Sequence, residues 1–309
     1  MYILPEKTTL YNLVKKPMDL DNQIKQLRTR GLVVPNEAYA KSILLSTNYY
    51  YFTGYLHPFK KTRQDEAGSC EEYYDTSLNF DDIYQIIKFD FKMRSIVMLA
   101  SDYSERNLKT RISYHMSRNY EYGNVAYLYS ENFKLNEHTK FMSFFVREVE
   151  NKRKNEFVQH HKNKYWGCLP IWAAVEVMTT GNLESFYKML NLETKEALAQ
   201  EYSMKPENLQ DHITFSRLIR NTVAHNSRLF YAKISSPPAT RLPSSLVADN
   251  LFNYLVVLKE LFTDSELWNR EILEEIKLLV NRRMIKVSLD CWGFSDDWEH
   301  RLTIKQKRE

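Results

Sequence analysis

Glycine is scarce in this chain, 7 residues in 309, and none of them falls in a G-x-x-x-x-G-K-[ST] or G-x-G-x-x-G pattern. No loop can therefore cradle nucleotide phosphates through close backbone amides, which argues against a nucleotide-driven motor or a dehydrogenase. Cysteine is scarcer still. Cys70, Cys168 and Cys291 are odd in number and far apart, so they suggest neither a disulfide framework nor a zinc site, and they suit a reducing cytoplasm. Long apolar runs are missing as well: no stretch approaches the roughly 18 residues that a membrane span needs, and the opening MYILPEKTTLYNLVKK carries charge where a signal peptide would be apolar. The expectation is a cytoplasmic chain with no membrane partner.

What fills the sequence is Leu, Lys, Glu and other long side chains with few breakers, which points to an all-α protein large enough for one big domain or two modest ones. In LDNQIKQLRTRGL, Leu20, Ile24 and Leu27 recur on one helix face until Gly31 stops it, and a second helix is expected from Asn36. The cluster NYYYFTGYLHPF allows two readings, base stacking or core aromatics at a helix junction. A polar loop is expected over 61–75, and helices over 80–119, 133–161, 170–190, 193–202, 207–232, 247–262 and 265–282, with another loop at SSPPATRLPSS, 235–245. Net charge is only +4. The basic residues bunch, however, at Lys152, Arg153 and Lys154, at Lys162 and Lys164, and in the tail KQKRE, a pattern that suits a polyanion partner or a solvated helix face.

The most informative stretch is FSRLIRNTVAHNSRLF. On a helical wheel at about 100° per residue, Phe215, Leu218, Ile219, Val223, Leu229 and Phe230 fall on one side. Arg217, Arg220, Asn221, Ala224, His225 and Arg228 fall on the other. That polar face holds neither lysine nor acid, only the planar donors suited to gripping a phosphate. Extending the wheel puts Asn226 on the apolar side, where a buried amide would brace the turn carrying His225. Histidine, with an ordinary pKa of about 6.5, transfers protons both ways near neutrality, and arginine stabilises a pentavalent phosphorane. Together they suit metal-free RNA cleavage, in which the 2′-OH is the nucleophile and the products carry a 2′,3′-cyclic phosphate and a 5′-OH. One obvious histidine per chain suggests two copies meeting across a two-fold axis.

Arg220 to His225 resembles the R-x(4 to 6)-H motif of the HEPN superfamily of ribonucleases. The segments LDNQIKQLRTRGLVV, NYYYFTGYLHPF, SERNLKTRISYHM, LPIWAAVEVMTTGNLESFYKML and RNTVAHNSRLF follow in the order seen in the Abi-like family. The chain resembles its AbiD/AbiF group of abortive-infection proteins over roughly residues 12–262. The resemblance implies a HEPN-type helical bundle with additional N-terminal helices, divided as an N-terminal helical region 1–75 and a HEPN-like domain 76–309. It further implies an antiphage or toxin-type endoribonuclease that uses no metal or cofactor, acts as a homodimer and is held in check by a small non-coding antitoxin RNA.

The resemblance carries the catalytic pair to Arg220 and His225, with Asn221 as the polar residue after the arginine and with Asn226, Arg228 and Arg217 in support. Glu105 and Arg111 match the first helix of the family and are expected to brace Arg220 or His225, or to form a structural ion pair. Arg111 and His115 are too close together for a second motif. Glu176 is read either as a supporting acid or as a helix-surface charge. His160 and His161, beside the basic run, suit RNA contact better than a metal, and Glu275-Ile-Lys277 lacks the strand context of a metal nuclease. Two competing functions remain: an RNA-binding module that does not cleave, acting through ribonucleoprotein assembly, and a target for modification by a partner nucleotidyltransferase.

Overall fold

The computed structural model describes residues 7–64, 70–233 and 250–305. In chain order the elements are α1 (Lys7–Leu13), α2 (Leu20–Thr29), α3 (Glu37–Thr47), α4 (Tyr49–Gly54), β1 (Lys60–Gln64), β2 (Cys70–Tyr74), α5 (Phe80–Asn119), α6 (Leu135–Asn151), α7 (Glu156–Lys164), α8 (Ile171–Val177), α9 (Thr180–Met189), α10 (Leu192–Glu201), α11 (Pro206–Ala224), α12 (Leu251–Glu260), α13 (Ser265–Leu267), α14 (Glu274–Asn281) and α15 (Trp298–Leu302). The fold is all-α apart from the small ribbon β1–β2. The expected loop at 235–245 and most of the basic tail lie outside the described residues.

Two compact units are present, residues 1–91 with 283–287, and residues 92–282 with 288–309. The chain passes from the first to the second inside α5, well after the polar stretch at 61–75. That stretch is not the open loop its composition suggests. Lys60–Gln64 pairs antiparallel with Cys70–Tyr74, and opposite charges face each other across the ribbon, as in Arg63 and Glu71 at 2.9 Å.

In the first unit α2 begins at the Asp19 cap, whose side chain accepts from the Asn22 amide, and buries Ile24 and Leu27. Gly31 follows the helix at φ +91°, a left-handed turn that glycine adopts without strain. The aromatic cluster divides: Phe52 stacks on Phe80 at 4.3 Å and Tyr55 donates to the buried Asp90 at 2.7 Å, whereas Tyr50 is exposed. Its main role is thus core packing. Asp82 is buried and paired with Lys286 at 2.9 Å.

The second unit is built round Leu108, Ile112 and Met116 of α5, with Phe141, Ile171, Leu183, Phe186, Leu198, Leu209 and Ile213 from the helices that follow. α11 packs on α9, α10 and α12, and α6 packs on α9. Two expected long helices are broken. The run at 133–161 stops at Asn151, so Lys152, Arg153 and Lys154 lie in the turn before α7 and not along a helix face. The run at 170–190 is interrupted by a capping box, in which the Thr179 hydroxyl takes the Asn182 amide and the Asn182 side chain takes the Thr179 amide. These two bonds satisfy amides at a new helix start, so the apolar periodicity continues while the helix does not. Among the described residues no helix is long and apolar enough to cross a membrane, and no group of three or more His, Cys, Asp and Glu could hold a metal ion.

Candidate active site

α11 starts with Pro206 at its first turn, where the missing amide costs nothing, and buries Leu209, Ile213, Phe215, Ile219 and Val223. That apolar stripe fixes which side of the helix Arg217, Arg220 and Asn221 occupy. The helix ends earlier than its pattern suggests. His225 is the C-cap, the Asn226 amide bonds the Val223 carbonyl at 3.1 Å and the Ser227 amide bonds the Thr222 carbonyl at 3.0 Å. These two bonds make a Schellman motif with Asn226 in the left-handed position at φ +55°.

The end of α11 corrects the reading of Asn226. It is exposed, not a buried brace on the apolar side, because wheel angles lose their meaning once the chain leaves the helix. Asparagine is also the residue after glycine best suited to a left-handed C-terminal turn. Arg228 comes after the reversal, half-buried and engaged with its surroundings, so it does not extend the helical row from Asn221 and His225. Leu229 and Phe230 are buried nevertheless, with the Phe230 ring 5.0 Å from Trp292.

Arg217 and Arg220 share a face but not an environment. Arg217 is tied to Glu184 of α9, a buried carboxylate that also takes Lys188 at 2.5 Å and the Thr214 hydroxyl at 3.0 Å. Burial pushes the Glu184 carboxyl up, but Lys188 and Arg217 outweigh it and hold the group below its ordinary value. Arg217 is therefore a strut between α9 and α11 and not a free phosphate ligand. Arg217→Met is expected to lower the unfolding free energy by about 1–3 kcal/mol, less than a fully buried pair because the guanidinium is partly wet. Urea denaturation reads the loss; an unchanged midpoint would show that Lys188 and Thr214 suffice.

Arg220 makes no hydrogen bond among the described residues, although its Nε is buried. Its charge is felt by Glu105 of α5, which also takes Lys109 at 2.8 Å and the Thr180 hydroxyl, at the N-terminus of α9, at 2.5 Å. Burial drives the Glu105 carboxyl up, yet Lys109, Thr180 and Arg220 together keep it below the usual carboxylate range. A negative charge at the start of α9 is also favoured by the helix dipole. Lys109 and Thr180 are the partners that sequence reasoning missed. Lys109 is one turn from Glu105, which is a legible signal; for Thr180 the sequence carries only a helix-start pattern.

Arg111 does not join this group. Its guanidinium donates to Asn107 at 2.9 Å and to Thr263 at 2.8 Å, and it pairs with Glu201 of α10, which pairs with His115 too. Six residues along α5 from Glu105 is about 240° round the helix, so the two side chains leave on different faces. Burial, then the Arg111 charge, pushes the His115 imidazole down.

The basic cluster also divides. Lys152 turns inward and its Nζ donates to the Glu176 and Val177 carbonyls at 3.1 and 3.0 Å, closing the C-terminus of α8. Burial, and after it the Lys109 charge, pushes this ammonium down, against the pull of Glu148, Glu105 and Glu176. Glu176 thus contributes its backbone carbonyl there, while its side chain is exposed. Arg153 pairs with Glu150 at 2.5 Å, and Lys154 is exposed. His161 donates from Nδ1 to the Phe157 carbonyl at 2.7 Å, whereas His160 is exposed.

Asn221 and His225 have no side-chain partner among the described residues, and His225 is exposed at the helix end. Arg220, whose Nε has no partner, precedes them by one and five positions at the end of the same helix. The model of the Abi-like protein family matches residues 42–231, a span that contains α5 to α11 and this group. The chain belongs to that family. Membership points to a part in abortive infection. No curated protein and no solved structure matches the chain.

Proposed function

We propose that this Abi-like protein is a HEPN-type endoribonuclease of an abortive-infection system that cleaves RNA without a metal ion. The observation that carries the reading is the contrast along α11: Arg217 is consumed by Glu184, while the buried Arg220 Nε has no hydrogen-bond partner among the described residues and His225 is exposed at the helix end. Glu105 lies close enough to hold Arg220 electrostatically without a hydrogen bond of its own to it.

In the proposed reaction His225 takes the proton of a ribose 2′-OH, whose oxygen attacks the adjacent phosphorus. The P–O5′ bond breaks, and the leaving 5′-oxygen takes a proton from a protonated histidine. Arg220 pairs with the non-bridging oxygens as charge develops on them, and Asn221 and Arg228 position the phosphate. One His225 acts in only one of these two roles at a time, so two copies of α11 facing across a two-fold axis supply both. The protein works in the cytoplasm as a homodimer, with a small non-coding RNA occupying the site when the system is silent.

The test is a digest of total RNA with purified protein in EDTA. Cleavage is expected to persist, leaving 2′,3′-cyclic phosphate and 5′-OH ends, and a DNA strand of the same sequence is expected to survive. Loss of cleavage on chelation, or 5′-phosphate ends, would overturn the metal-free route. Binding without cleavage under all conditions would favour the ribonucleoprotein alternative.

A further inference from the structure

α7 ends in a turn that places a bulky residue in left-handed backbone. Trp166 stands at φ +55° and is 96% exposed. A left-handed backbone is a real outlier for a bulky side chain, and the indole gains almost no burial in return. The turn is nevertheless firmly made. The amides of Tyr165 and Gly167 both donate to the His161 carbonyl, at 2.9 and 3.1 Å, and the Cys168 amide donates to Tyr165 at 2.9 Å. Glycine or asparagine would form it with less strain, so the choice of tryptophan calls for a reason outside the folding of this chain.

The surroundings indicate what that reason is. Tyr165 lies beside Trp166, itself exposed, with the Lys164 ammonium 5.3 Å from its ring centre and the His160 and His161 rings 5.8 and 5.5 Å away. Lys162 and Lys164 are exposed on the same last turn of α7, where they also complement the helix dipole. An aromatic pair in a cationic setting fits a strand that presents both bases and phosphates. At its other end α7 follows the turn that holds Lys152, whose Nζ donates to the Glu176 and Val177 carbonyls.

We propose that Trp166, with Tyr165 beside it, is a stacking platform for unpaired bases, so that the RNA engaged by this protein is single-stranded where it crosses the end of α7. The proposal rests on the reading of RNA as ligand, but not on cleavage. A base in a duplex has both faces covered, so the platform discriminates against paired RNA.

The test uses full-length His225→Ala protein, which holds RNA without turning it over, and compares a short oligouridylate with an RNA duplex of equal length. Adding Trp166→Ala is expected to weaken oligouridylate binding about tenfold and to leave duplex binding unchanged, with Trp166→Phe retaining most of the affinity. Oligouridylate should also quench indole fluorescence in a parent that carries Trp172→Phe, because Trp166 is then the exposed indole while Trp268, Trp292 and Trp298 are buried, and this quenching should fall sharply when Trp166→Phe is added. Unchanged affinity together with unchanged quenching overturns the proposal. So does a Trp166→Ala protein that loses a dimer while binding RNA as before, which would make the patch a contact between copies. If the wild-type protein never cleaves RNA but binds it through Trp166, the platform stands and only the nuclease reading fails.

Discussion

Alanine at His225 is expected to reduce RNA cleavage by about 10²–10⁴-fold, the usual contribution of a positioned general acid or base, with little effect on folding. His225 is exposed at the helix end, and the helix is closed by backbone bonds from Asn226 and Ser227 that no imidazole takes part in. A surface substitution of this kind changes stability by roughly 0.5 kcal/mol or less. Arg220→Ala is expected to cost about 10²–10³-fold through lost charge stabilisation at the phosphate. Its folding effect should be modest, because Glu105 keeps Lys109 and the Thr180 hydroxyl when the guanidinium is gone. Because both groups act on one transition state, the double variant should be scarcely worse than the poorer single one. Gel-based cleavage rates and thermal melts on the same preparations check the whole set. Cleavage that survives both substitutions would remove α11 from the chemistry altogether.

The elements that were legible in the sequence are those set by local periodicity. α2 and α5 follow from apolar spacing, and α11 follows as far as His225, because a buried stripe of Leu209, Ile213, Ile219 and Val223 leaves the helix no other orientation. Past that point the pattern misleads. Leu229 and Phe230 are apolar and buried, as a longer helix would have them, yet the chain reaches their positions through the reversal at Asn226. The informative residue was the asparagine itself, a left-handed former just where the polar face ends.

Partners were less legible than faces. Glu105 and Arg111, grouped by their match to one helix of the family, are expected either to brace Arg220 or His225 or to form a structural ion pair; each is in an ion pair, Glu105 with Lys109 and Arg111 with Glu201. The pairing of Arg217 with Glu184 spans 33 positions, and no local pattern signals it. Which of two arginines one turn apart is held in an ion pair is decided by the helix packed opposite. The basic run at 152–154 shows the same limit: its composition predicts positive charge, while the end of α8 decides that Lys152 spends its charge inward.

Phe215→Ala should separate scaffold from chemistry most clearly. Phe215 is buried on the face of α11 opposite Arg217 and Arg220, and its ring meets Tyr254 of α12 edge-on at 5.6 Å and 75°. Removing a buried phenylalanine ring typically costs about 3–5 kcal/mol, partly lost transfer energy and partly the cavity left behind. A loss of that size is comparable to the whole stability of many domains, so urea midpoints and soluble yield should both fall steeply. Phe215→Leu, which keeps most of the volume, is expected to cost about 1.5 kcal/mol or less and to remain measurable if the alanine variant does not fold. The rate per folded molecule should stay near wild type in either variant, since the ring is buried against Tyr254 of α12. The opposite result, full stability with a large fall in rate, would mean that α12 does not hold α11 in place and that the apolar face of α11 takes part in the site directly. Set beside His225→Ala, the two variants divide one helix into a side that folds and a side that reacts.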